Sequence, residues 1–254
     1  MSDYSVRTIA GSSFTNAVSE PTMEDLDIAK LAEYLHLTPP QVSKMALRGR
    51  IPARKVGGEW RFNEAEIHHW LEEQIGLSDE EALDRVQRVL DRGASGKAED
   101  RPIHKLCSLE TIQVPLNART RGSVIRSMCK LAEASGMMWD SPTMVEAVQA
   151  REQMHPTALD NGVALLHPRR PQTSILADSV LALAICPSAI PFSDSGHTTD
   201  VFFLICSYDD ESHLRILAKL SRLISKAGFL RDLRDCSSSK EALHCLQNAE
   251  TDQS

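Results

Sequence analysis

One stretch of the 254-residue chain concentrates residues able to do chemistry: Arg151 to Pro171, REQMHPTALDNGVALLHPRRP. Arg151 and Glu152 open it, Thr157 follows, and a glycine-led apolar run, Gly162 to Leu166, stops at His167. Imidazole is a nucleophile near neutral pH because a useful fraction is unprotonated. Guanidinium groups bind anionic oxygens in bidentate fashion. A histidine with Arg151, Arg169 and Arg170 nearby in sequence therefore suits attack on an anionic substrate. The plain alternative is a partly buried, hydrogen-bonded histidine with no reactive role.

The elements that must position these groups follow from the same residues. Four apolar residues after the Asn161-Gly162 turn signal, Val163 to Leu166, read as a short buried strand. Pro168 and Pro171 forbid its continuation, which leaves His167 at the carboxyl end of the strand.

A hydrophobic fraction of 42% and a charged fraction of 25% are ordinary for a globular protein of one or two domains. The formal charge of -7 excludes a chain that is a polyanion binder as a whole, so any basic surface must be local. Six scattered cysteines without CxxC or zinc-ligand spacing read as buried free thiols of a reducing cytoplasm. No signal-peptide pattern and no apolar run of about 18 residues are present, so membrane insertion is not expected.

Residues 1–22 lack periodicity and read as a disordered tail. Helical spacing begins near Asp25 (Ile28, Leu31, Ala32, Leu35), and Thr38-Pro39-Pro40 starts a second helix, Gln41 to Arg48, ending at Gly49. Two short strands around Gly57-Gly58 then make a wing, and Asn63 with Glu66 caps a further helix. Between Gln41 and Phe62 six basic residues face one acidic residue, a local charge of +5 inside an acidic chain.

The run LAEYLHLTPPQVSKMALRGRIPARKVGGEWRFNEAEIHHWL, Leu31 to Leu71, resembles the excisionase-like, MerR-related winged helix-turn-helix family. The resemblance implies DNA as a partner. Gln41, Ser43, Lys44 and Arg48 would lie on the recognition helix, with Lys55 and Arg61 on the wing; Trp60 and Trp70 are expected in the core. A helix capped by Ser78, with a stripe from Ala82 to Leu90, either pairs two chains in a homodimer or packs on its own domain. Gly93 to Pro102 reads as a linker. The expected division is a tail (1–22), a winged helix-turn-helix (23–75), a linker with an amphipathic helix (76–105), a second domain (106–247) and a closing tail (248–254).

From Ile103 strands and helices alternate: a strand over Thr111 to Leu116, a helix around Val124 to Ala132, and another from Ser141 into Arg151-Glu152. Strands follow at Val180 to Ile185 and Val201 to Cys206, then a helix from Glu211 to Ala227 and a last one opened by Ser238, fraying after Leu246. This predicts a three-layer α/β domain, one mixed sheet flanked by helices, preceded by the small winged helix-turn-helix domain.

Four features of the second domain resemble the enzyme IIA domain of the fructose/mannitol type from the bacterial phosphotransferase system. They are R-E-x-x-x-x-T (Arg151 to Thr157), G-V-A-x-x-H (Gly162 to His167), the strand VFFLIC, and H-L-x-x-L-A-K-L (His213 to Leu220). The resemblance implies that His167 accepts a phosphoryl group from the histidine phosphocarrier protein and passes it to a cysteine of an enzyme IIB. Arg151, His213 and Thr157 would complete the site, with no metal and no cofactor. His213, opening a helix, would stand beside amides that favour an anion. Leu166 and Pro168 stand where the family's pattern has proline and glycine, and Pro168 removes a backbone donor. The implied function is a cytoplasmic DNA-binding regulator whose enzyme IIA-like domain is phosphorylated on histidine. The alternatives are a working phosphocarrier for sugar uptake, hence a phosphotransferase, and a non-phosphorylated interaction module.

Overall fold

A computed structural model describes residues 25–35, 37–63, 66–67, 70–71, 101–154, 156–192 and 196–251. The expected N-terminal tail, the Ser78-capped helix and most of the Gly93–Pro102 linker lie outside the described residues.

The first module is built as its sequence dictates. Asp25–Leu26 form a short strand, β1, just ahead of the first helix. Asp27 caps α1 (Ile28–Tyr34), accepting the Lys30 N–H at 2.8 Å. Thr38 and Gln41 form a capping box at α2 (Pro39–Leu47). Beyond it Gly49 takes the left-handed φ of 63° that ends the helix. The wing is β2 (Arg54–Val56) and β3 (Glu59–Asn63), joined by Gly57 and Gly58 at φ 62° and 87°. Two consecutive left-handed residues give the turn that matches strand twist. The sheet order is β1-β3-β2, all antiparallel. Leu31, Val42, Ile51, Phe62 and Ile67 close a core beneath it.

The second module is a mixed four-stranded sheet in the order β4-β6-β7-β5. Its strands are β4 (Ile112–Gln113), β5 (Val163–Leu166), β6 (Val180–Pro191) and β7 (Thr198–Cys206). β5 runs parallel to β7, β6 antiparallel to β7, and β4 parallel to β6. Alternation along the strands splits the core into two faces. Leu165, Leu183, Phe203 and Ile205 meet the helices α5 (Asp210–Ser225), α6 (Phe229–Arg234) and α7 (Ser239–Thr251). Ala164, Leu166, Phe202 and Leu204 meet α3 (Arg121–Ala134) and α4 (Ser141–Met154). The result is the expected three-layer α/β domain.

Two local expectations are corrected. The strand expected over Thr111 to Leu116 is only two residues long, because the Val114 N–H leaves the ladder for Ser239 Oγ at 3.3 Å and Pro115 has none to give. The last helix does not fray after Leu246 but continues to Thr251. Its final turn is held because Glu250 accepts the backbone N–H groups of Ile103 and His104 at 2.6 and 2.9 Å, and Lys226 donates to the Ala249 carbonyl. The short helix α6 has no counterpart in the sequence reading.

No helix among the described residues is long and apolar enough to cross a membrane. All six cysteines are free. Burial pushes the Cys129 thiol up to about 12 and raises Cys206 well above its ordinary value. Alkylation of the native protein at pH 8 is therefore expected to spare both, while unfolding exposes all six to modification by mass.

Candidate functional site

β5 and β7 end, and β6 begins, at the same edge of the sheet, since Leu166 pairs with Leu204 and Val180 with Cys206. His167 follows β5 there and is 3% exposed. Its Nδ1 lies 2.8 Å from the Leu165 carbonyl oxygen. A carbonyl can only accept, so Nδ1 carries the proton and, in the neutral ring, Nε2 carries the lone pair. His213, in the first turn of α5, brings its ring to 4.9 Å from that of His167, tilted by 54°. Ser207, the first residue after β7, holds His213 Nδ1 at 3.2 Å through its hydroxyl.

The start of α5 supplies the His213 imidazole and is capped by Asp209. Asp209 accepts the Ser212 N–H through its side chain at 2.7 Å and the His213 N–H through its carbonyl at 3.0 Å. Those two amides are thereby engaged within the helix. Arg151 lies in the last turn of α4 and is 7% exposed. Arg169 and Arg170 are exposed. Pro168 and Leu166 are buried.

The Thr157 hydroxyl and N–H both donate to Glu152 Oε1, the N–H at 3.1 Å. Glu152 Oε2 in turn accepts from Arg121 Nη2 at 2.8 Å. Thus His167 and His213 are brought together, and Thr157 is spent on Glu152. Sequence reasoning missed Ser207 and Arg121. The only signal for Ser207 was a hydroxyl residue directly after the buried strand VFFLIC; Arg121, far from its partner in sequence, gave none.

In the first module the basic residues divide by partner. Arg54 binds both Asp25 oxygens at 2.6 and 2.7 Å, and half-buried Arg61 pairs with Glu59 at 2.9 Å. The Lys55 ammonium lies 4.9 Å from the Trp60 ring centroid. Gln41 Oε1 accepts from the Thr38 N–H and hydroxyl at 2.8 and 3.0 Å, so part of its side chain serves the cap. Ser43 is half-buried, and Lys44 and Arg48 project from α2 as exposed cations. Trp60 and Trp70 pack against the core, as expected.

Fold and site together define a class: a three-layer α/β domain with paired histidines at one sheet edge, behind a helix-turn-helix module. Residues 105–249 match the family described as "Phosphoenolpyruvate-dependent sugar phosphotransferase system, EIIA 2", more than half of the chain, and the chain belongs to that family. Residues 26–75 match the family described as "Helix-turn-helix domain". Among solved structures, the nitrogen regulatory protein IIA-Ntr from Neisseria meningitidis is similar at 20% identity and a TM-score of 0.51, covering 57% of this chain and 98% of its own. IIA mannitol from Escherichia coli is similar at 20% identity and a TM-score of 0.50, covering 55% and 98%. The mannitol-specific cryptic phosphotransferase enzyme IIA from Escherichia coli matches at 15% identity and 0.50, covering 58% and 99%. At such identities these likenesses show the fold alone. A search of curated proteins found no match. The two families point to phosphotransfer within the phosphotransferase system and to DNA binding.

Proposed function

We propose that this chain is a DNA-binding regulator whose enzyme IIA-like domain is phosphorylated on His167 Nε2 in the phosphoenolpyruvate-dependent phosphotransferase system. The observation that supports the reading is the 2.8 Å bond from His167 Nδ1 to the Leu165 carbonyl, under which Nε2 carries the lone pair of the neutral ring. The phosphorus–nitrogen bond of a phosphorylated histidine phosphocarrier protein breaks as one to Nε2 forms, and the donor imidazole leaves with the electron pair. Positive charge over the equatorial oxygens is what such a transfer asks of a protein. Arg151 is assigned that role. With the Ser207 hydroxyl donating to His213 Nδ1, His213 offers an Nε2–H to the same oxygens. An enzyme IIB cysteine is the onward acceptor if the domain turns over.

The first module is assigned to the excisionase-like, MerR-related winged group, reading DNA through Gln41, Ser43, Lys44 and Arg48 and steadying it through Lys55 and Arg61. The protein acts in the cytoplasm, and the apolar stripe from Ala82 to Leu90 in the sequence is the candidate homodimer contact. Phosphorylation adds about two negative charges at pH 7. The charge at His167 is proposed to alter DNA binding.

Incubation with phosphoenolpyruvate, enzyme I and the histidine phosphocarrier protein, followed by mass spectrometry without acid, tests the central step. One added phosphoryl group is expected; none, with the donor shown to be charged, counts against it. DNA affinity is expected to fall steeply with salt, and Lys44→Ala or Arg48→Ala each to flatten the log–log slope by about one. A second reading, an interaction module without phosphorylation, is favoured by one observation: His167 is only 3% exposed and is followed by a buried proline without an N–H.

A further inference from the structure

We propose that Glu152, fixed by Arg121 and coupled through Thr157, is a positioning residue for the His167 ring. The assignment rests on His167 being the phosphoacceptor. Glu152 is 1% exposed, and a carboxylate so buried is costly unless its oxygens are satisfied. Both are. Oε2 takes the Arg121 guanidinium at 2.8 Å; Oε1 takes the Thr157 N–H at 3.1 Å and the Thr157 hydroxyl. Arg121 also donates to the Glu152 carbonyl and lies 5.4 Å from the Phe192 ring centroid, so the guanidinium ties α3 to α4 and to the residue after β6.

From Thr157 the contacts lead to the nucleophile. The Thr157 carbonyl accepts the Leu165 N–H at 3.3 Å, and the Leu165 carbonyl accepts His167 Nδ1–H at 2.8 Å. The neighbouring Ala158–Ala164 bridge and the Leu159 N–H to Val163 carbonyl bond at 2.7 Å lock the two segments in this register. Glu152 therefore sets the height of Thr157, Thr157 that of Leu165, and Leu165 the proton position on His167. Glu152 also adjoins Arg151, so the same anchor fixes the rotation of the helical turn that carries the guanidinium. Hydrogen bonding to one ring nitrogen is what selects the state of the other.

The test uses the full chain as Thr157→Val, which keeps the N–H and the shape but loses the hydroxyl, as Thr157→Ser, which restores it, and as Glu152→Gln. Two quantities are read: the His167 ring-nitrogen shifts by NMR in unphosphorylated protein, and the rate of phosphoryl uptake. Thr157→Val and Glu152→Gln are expected to move His167 from the Nδ1–H form toward a tautomer mixture. They should slow uptake roughly tenfold to a hundredfold, by analogy with the loss of a partner that orients a metal-bound histidine. Thr157→Ser should return both to the parent values. Unchanged ring-nitrogen shifts in folded Thr157→Val overturn the assignment, even where the unfolding temperature drops. If Glu152→Gln fails to fold, the threonine pair decides alone. Because the NMR readout needs no phosphorylation, shifted tautomers with no uptake by the parent chain support the network and overturn the phosphoacceptor reading instead.

Discussion

His167→Ala is expected to abolish the acid-labile phosphoryl group while leaving the fold in place, because the substitution removes the nucleophile from the end of β5 and leaves the strand itself untouched. The loss should be at least a thousandfold in uptake, the scale on which a removed catalytic nucleophile is felt. Two companions locate the source of that loss. His213→Ala keeps the nucleophile and removes the ring 4.9 Å away, so uptake should slow without vanishing. Arg151→Lys keeps a positive charge but loses the planar fork, and the expected cost is about tenfold or more in rate. Mass spectrometry under non-acidic conditions, timed over the reaction, separates the three. Undiminished modification of His167→Ala would place the phosphoryl group on another residue.

Gly162→Ala should destabilise the second domain by roughly 2–4 kcal/mol, a large effect for one methyl group. Gly162 has φ 85°, where a Cβ costs about 1–2 kcal/mol per residue. The added carbon would also stand 2.6 Å from Arg234 Nη2 and 3.1 Å from Asp200 Oδ1. Arg234 grips both Asp200 oxygens at 2.8 Å and the Asn161 carbonyl at 2.7 Å. Moving it aside forfeits charged hydrogen bonds worth about 1.5–3 kcal/mol each at most. Thermal unfolding should show the change as a drop of about 5–10 °C. In the double variant with Arg234→Ala the closest clash is gone, leaving the backbone strain and the 3.1 Å approach to Asp200 Oδ1, so the two changes should be less than additive. Full additivity would mean that the arginine yields freely and that strain alone carries the effect.

Much of this architecture could be read from the chain because the signals were local. Two adjacent glycines fixed the wing turn, four apolar residues between a turn and a proline fixed β5, and Leu214, Leu217, Leu220 and Leu223 marked the long helix α5. What escaped was short or long-range. Helix α6 buries only Phe229 and Leu233, too few positions to display a period. β4 lost most of its expected length to a side-chain bond with Ser239, a partner 125 residues away in sequence. The Arg121–Glu152 pair spans 31 residues, and nothing in either neighbourhood announces the other. Thr157 illustrates the limit from the other side. Its motif marked it as important, yet motif spacing does not say which group a hydroxyl faces.

Among the described residues β5 is the outermost named strand of its sheet, paired with β7, and such edges are templates on which other chains can build. Here the outer side is already occupied. The segment from Thr157 to Leu159 runs antiparallel beside it, taking the Leu165 N–H and giving the Leu159 N–H to Val163, with Pro156 before it and Pro168 beyond the strand. The strand that carries His167 is thus capped by its own chain, and its most apolar stretch is closed to cross-β growth. A partner that comes to this site must meet it through side chains at the strand's end, not by adding a strand of its own.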